Sequence, residues 1–321
     1  MNNEIRKYLE ESFLSELLQD SEITDISYNG ESLFYLHNLK GRQKSDIEVS
    51  KDTVMVFIRQ IANLAERQFS VTSPFLDVSE GRYRINAIHP SVVRVDNEKS
   101  ISFSIRIASP QIRVLTSKTF MNDEINAYLL DCLKNQKSIV IGGPTGSGKT
   151  ELQKYLLTSL VDNSRVIVID NVQELEYIRM NKNLDITSWQ VNEANDNTSI
   201  SELIRQALRS NPDWLIVAES RGKEMNDVLN SVMTGHPIIT TMHAREMKTM
   251  PHRLVRMIEM ADTKESYDDI MSDLLSHIQV FVFVRRVITD GHVERFIESI
   301  GEVKGNKLVE VYHRKEIQTH A

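Results

Sequence analysis

Eight consecutive residues, Gly143-Pro144-Thr145-Gly146-Ser147-Gly148-Lys149-Thr150, match the pattern G-x-x-x-x-G-K-[ST]. They follow the apolar run SIVIG and precede the helix-compatible run ELQKYLLTSLV. Glycines allow successive backbone N–H groups to point into one concavity, and the start of a helix adds partial positive charge. Both favour the phosphates of a nucleotide. Lys149 is placed to reach the β- and γ-phosphates, and Thr150 to offer a hydroxyl oxygen to the Mg²⁺ that bridges them.

A phosphate cradle needs carboxylates to become hydrolytic. Asp170 ends the apolar run VIVI, Glu174 follows four residues later, and Glu219 follows the run WLIVA. In an open parallel sheet the ligand crevice lies at the carboxyl ends of the strands, so Asp170 and Glu219 are expected beside the loop, orienting a water and holding Mg²⁺. Glu174 reads equally as a helix cap. His243 stands at the carboxyl end of a strand-like run, PIITTM, where it would donate to the γ-phosphate or to Glu219. His236 stands at the opposite end and reads as packing.

The elements that must position these groups follow from periodicity. Short apolar runs without alternation (138–141, 166–169, 214–218, 238–241), separated by helical stretches, indicate a parallel sheet covered on both faces. The fold class is therefore α/β with a mostly parallel sheet. Upstream the pattern is α+β. An amphipathic helix carries Ile5, Leu9, Phe13 and Leu17, and a hairpin turns through Asn29-Gly30. A helix follows Ser50, and Ile101, Phe103, Ile105 and Ile107 alternate with polar residues. Residues 109–119, with Pro110, lack a period and read as a linker between a domain of residues 1–108 and a domain of residues 120–321.

Composition narrows the partners. The 321 residues carry 45 Asp+Glu against 38 Lys+Arg, a net charge of -7, which supplies no global field for nucleic acid. Cys132 is the single cysteine, so a zinc cluster or an internal disulfide is excluded, and its Leu neighbours mark a core position. The N-terminus lacks a signal-peptide h-region, and the apolar stretch 278–284 is too short to span a bilayer, so no transmembrane segment is expected and the cytoplasm is the expected compartment.

Four motifs in order resemble those of the hexameric traffic ATPases of type II and type IV secretion, conjugation and type IV pili. GGPTGSGKT resembles the Walker A motif, VIVIDNVQEL the aspartate box, LRSNPDWLIVAESRGKE the Walker B region and TGHPIITTMHA the histidine box. ITDISYNG, RINAIHP and ISFSIRI resemble the N-terminal domain of the type IV secretion branch. The resemblance implies a RecA-type ATPase domain behind a smaller α+β domain, a homo-hexamer with ATP between the domains, and Arg84 and Arg106 as basic residues brought to the triphosphate. It implies inner-membrane components of the secretion machine as partners, reached from the cytoplasmic face. Asp170-Asn171 stands where Glu-Asp is usual, Ala218 where Gly precedes the Walker B Glu, and Glu151 where a small or hydroxyl residue is common, which points to slow or modified hydrolysis. Two alternatives share this core: a ring helicase or DNA translocase, and an ATP-responsive assembly factor with little turnover.

Overall fold

A computed structural model describes residues 3–109, 111–113, 117, 119–171, 175, 183–191, 196–289 and 292–314. The chain divides into two compact units, Met1–Gln111 with Ile288–Val293, and Ile112–Val287 with Glu294–Ala321.

The first unit opens with two helices, α1 (Asn3–Glu10) and α2 (Ser15–Gln19), where the periodicity predicts one. Ser12 makes the break. Its hydroxyl donates to the Leu9 carbonyl at 2.7 Å and accepts from the Leu14 N–H at 3.2 Å, competing with the helical ladder. The buried stripe consequently shifts to Ile5, Leu9, Leu14 and Leu18, with Phe13 and Leu17 only partly covered. Strands β1 (Ile23–Tyr28), β2 (Leu33–His37) and β3 (Gly41–Lys44) follow. Of Asn29-Gly30 only Gly30 has a positive φ, +104°. Asn29 contributes its side chain, whose Oδ1 accepts from the N–H groups of Glu31 and Ser32, so the turn is a longer Asx-type connection and not a two-residue hairpin.

Helix α3 (Lys51–Leu64) is capped by Ser50, whose hydroxyl accepts from the Thr53 N–H. Then come β4 (Phe75–Glu80), β5 (Tyr83–Ile88), the short ribbon β6 (Arg94–Val95) and β7 (Glu98–Lys99), and β8 (Ser102–Ile107). Six strands pair antiparallel in the order β3-β2-β1-β8-β5-β4. Phe103, Ile105 and Ile107 face the helices of this unit, as their alternation requires.

The second unit runs α4 (Asp123–Lys134), β9 (Ile139–Gly143), α5 (Lys149–Thr158), β10 (Arg165–Asp170), β11 (Asp185–Gln190), α6 (Ile200–Leu208), β12 (Trp214–Val217), α7 (Met225–Met233), β13 (Ile238–His243), α8 (Met250–Glu259), α9 (Tyr267–His277), β14 (Val280–Thr289), β15 (His292–Lys304) and β16 (Lys307–His313). Its sheet has eight strands in the order β11-β10-β12-β13-β9-β14-β15-β16, parallel from β11 through β14. Two cores explain why the central strands read as unbroken apolar runs. Ile139, Ile141, Val166, Val168 and Ile216 pack under α4 and α5, while Val140, Ile167, Ile169, Leu215 and Val217 pack under α6 to α9. Cys132 is buried in the first of these cores. Met242, Met247, Met250 and Met257 are buried, whereas Met260 is 64% exposed.

Candidate nucleotide site

The phosphate-loop sequence connects the end of β9 to the start of α5. Gly143 is required by its neighbours: a Cβ there would sit 2.3 Å from the Val284 carbonyl oxygen and 2.6 Å from Ser147 Oγ. Gly146 and Gly148 have φ of +71° and +100°, a region side-chain-bearing residues rarely adopt, and Gly148 is the left-handed residue from which α5 begins. Pro144, Thr145 and Gly146 form the exposed part of the loop, and Ser147 is fully buried with its hydroxyl lacking a hydrogen bond. Lys149 lies against the loop, its Nζ donating to the carbonyls of Gly143 at 3.1 Å and Pro144 at 3.0 Å. Burial pushes its ammonium pKa down to about 8, against the opposing pull of the Glu219 carboxylate. Thr150, half-buried, is the second residue of α5.

Parallel pairing brings the other groups to the same edge. In the β13–β9 register His243 stands opposite Gly143, and in the β12–β13 register Val217 stands opposite Thr240. Glu219, two residues past β12, thereby meets the end of β13: its Oε1 lies 2.9 Å from His243 Nε2. Oε1 is buried and faces the imidazole without a hydrogen bond to it. Its Oε2 accepts from Arg221 Nε at 3.0 Å and Nη2 at 2.8 Å. Burial first, and then the Lys149 ammonium, hold the His243 pKa below its ordinary value, while Glu219 opposes them.

The turn carrying Glu219 is fastened by hydroxyls. Ser220 Oγ lies 3.0 Å from Thr240 Oγ1, Thr241 Oγ1 donates to the Ala218 carbonyl at 2.7 Å, and the Ser220 N–H donates to the Thr241 carbonyl at 2.8 Å. Asp170 is buried at the end of β10, and its Oδ2 accepts from the Leu175 N–H at 3.2 Å. Glu174 lies outside the described residues. Arg84 and Arg106 belong to the first unit, where they stand opposite one another on β5 and β8. Arg84 pairs with Asp77 at 3.0 Å and Arg106 with Asp25 at 3.3 Å. His236 precedes β13, its Nδ1 lying 3.1 Å from Thr234 Oγ1.

Three residues have contacts here that the motifs do not give. Arg221 is one. Gln153 is another: wholly buried on α5, it donates its amide to the carbonyls of Val217 at 3.0 Å and Ile239 at 3.1 Å, joining the phosphate-loop helix to β12 and β13 together. A polar residue beside Leu152 and Leu156 on the buried face of a helix was its signal. The third is Glu151, whose Oε2 accepts from the Arg113 N–H at 2.7 Å and whose Oε1 lies 3.0 Å from the nearly buried Lys154 ammonium. Its presence after Lys149-Thr150 thus has a structural reason, separate from any effect on hydrolysis.

Residues 83–304 match the family described as type II/IV secretion system protein. An uncharacterized protein of Bacillus anthracis is 30% identical over 270 residues, covering 80% of this chain, which in turn spans only 59% of that relative. The type IV secretion system protein VirB11 of Bartonella quintana (strain Toulouse) is 25% identical over 320 residues, 85% of this chain and 87% of that protein. Among solved structures, the Legionella pneumophila ATPase DotB superposes with a TM-score of 0.68 at 21% identity, covering 91% of this chain and 81% of that one.

Proposed function

The chain belongs to the type II/IV secretion system protein family, and from that premise we propose that it is an ATPase that powers substrate transport by, or assembly of, a type IV secretion or conjugation apparatus. The observation that carries the reading is the convergence of Lys149, Glu219 and His243 on the carboxyl edge of β9, β12 and β13. In an open parallel sheet that edge is where a ligand sits. The second unit is, on this reading, a RecA-type domain, the first unit the α+β domain that precedes it, and the working form a ring of six.

Each residue has a role in this reading. The loop amides of Gly146, Gly148 and Lys149, with the dipole of α5, hold the phosphates of ATP. Lys149 releases the loop carbonyls and takes up a phosphate oxygen. Glu219 polarises the attacking water, Arg221 holds its second oxygen in place, and His243 reads whether the γ-phosphate is present. Mg²⁺ suits the site as a cation shared with the nucleotide. The buried Glu219 Oε1 lacks a hydrogen bond, and the described residues contain no group of three His, Cys, Asp or Glu side chains that would cage a metal without phosphates. Thr150 and Glu219 would hold it, and it would neutralise charge on the phosphates. Asp170, with one oxygen committed to a backbone N–H, acts through the shape of the edge.

Partners in this reading are membrane components of the machine, met at the cytoplasmic face of the inner membrane. Among the described residues no helix is long and apolar enough to cross a bilayer. Phosphate release by the wild type beside Lys149→Ala and Glu219→Gln tests the enzyme. Turnover in the wild type that both variants lose supports it. Equal inactivity in all three, with ATP still bound by the wild type, identifies a nucleotide-responsive assembly factor instead, the reading that Asp170-Asn171 favours.

A further inference from the structure

Strand β14 runs parallel to β9 with Phe283 opposite Gly142, but β9 ends at Gly143 while β14 continues to Thr289. The residues after Val284 therefore stand alongside the phosphate loop, and strand alternation sorts them. Val282 and Val284 face the core under α5, while Phe283 faces the opposite core. Arg285 follows Phe283: its guanidinium lies 5.6 Å from that ring, and its Nε is 2.6 Å from Glu298 Oε2. Arg286 follows Val284 onto the α5 side, and its Nη1 lies 3.4 Å from where a Cβ on Gly146 would sit. From β15, Arg295 shares that side with the buried Ile297 and donates from Nε to the Gly146 carbonyl at 2.7 Å.

The arginines of β14 and β15 differ in how their charge is met. Arg285 has Glu298 at 2.6 Å, and Arg295 has the Gly146 carbonyl. Arg286 has no carboxylate or hydrogen-bond acceptor among the described residues, and its Nε is buried without a partner. A guanidinium held against the apex of a phosphate-binding loop, with no acid of its own, is completed by an anion.

We propose that Arg286 is a ligand of the phosphate chain of the bound nucleoside di- or triphosphate, with Arg295 setting the Gly146 peptide of the loop. The proposal rests on the ATPase reading above. It assigns β14, outside the four motifs, a direct part in nucleotide affinity.

The test uses the full chain, a fluorescent ADP analogue, and inorganic pyrophosphate as its competitor. Arg286→Ala and Arg286→Gln are expected to weaken both probes about tenfold or more, by the same factor, at unchanged melting temperature. Arg286→Lys recovers part of the loss, and Arg285→Ala stays within about twofold of the wild type. Arg286 variants that bind both probes like the wild type, while Lys149→Ala loses them, overturn the proposal and leave the ATPase reading standing. So does a loss confined to the fluorescent ADP, which would place Arg286 on the base, or an equal loss in Arg285→Ala. A wild type that binds neither probe overturns the ATPase reading and the proposal together.

Discussion

Nε2 of His243 lies 2.9 Å from Oε1 of Glu219, so the ends of two adjacent parallel strands meet in one carboxylate–imidazole contact. Because β13 also pairs with β9, the strand that leads into the loop before α5, both residues stand at the carboxyl end of that strand pair.

Replacing Glu219 by Gln keeps the shape and removes the carboxylate proposed as the base. Phosphate release should fall by at least about a hundredfold, with ATP binding changed only severalfold. His243→Asn should give a smaller loss, about tenfold. The decisive comparison is hydrolysis against binding in the same preparations: equal losses in both would make Glu219 a binding residue.

Acidification should weaken the site through His243. Its folded pKa lies below the ordinary 6.5, so as pH falls from about 6.5 towards that lower value the unfolded chain binds a proton before the folded one. The stability that neutral His243 provides is present above 6.5 and lost below it. Melting temperature between pH 5 and 8 should decline more steeply on the acid side for the wild type than for His243→Asn. Parallel curves would contradict this assignment.

Lys149 holds a charge that folding disfavours. Its pKa moves from 10.5 to about 8, which corresponds to about 3 kcal/mol of destabilisation wherever it is protonated in both states, that is below pH 8. Lys149→Met should therefore melt several degrees higher than the wild type at pH 7 without nucleotide, and the gap should close as pH rises from 8 towards 10.5. A variant that melts lower at pH 7 would show that the two bonds to the loop carbonyls outweigh burial.

Glu151→Ser should lower stability by about 2–3 kcal/mol in urea unfolding, since it removes both the carboxylate beside buried Lys154 and the acceptor of the Arg113 N–H. Adding Lys154→Met should restore much of the loss. If the double variant is no better than the single one, the ion pair is not the reason for Glu151.

Gln153→Glu should destabilise more than Gln153→Ala, because a buried carboxylate offers only acceptors to the carbonyls of Val217 and Ile239. Protonation relieves part of that, so the Glu variant should gain on the Ala variant as pH falls from 7 to 5 in a melting series.

The turn between β9 and α5 was legible because its signals are contiguous: the residues that bend the chain and start the helix are neighbours in sequence. The central strands were legible for a related reason, since burial on both faces leaves an unbroken apolar run. Strands β11, β15 and β16 carry neither that signature nor clean alternation, being half-exposed along much of their length. The break at Ser12 was hidden because a side chain that competes with the helix leaves the apolar spacing nearly intact.

By itself, then, the sequence determined the class of sheet and the residues available at strand ends, both of which depend on local composition and period. Only the tertiary structure decided which of those residues meet. Glu219 reaches His243, Gln153 joins α5 to β12 and β13, and Arg286 arrives beside Gly146, because β9 lies between β13 and β14 and the parallel register aligns their carboxyl ends. Strand order and register arise from packing many distant side chains together, and no window of neighbouring residues contains them.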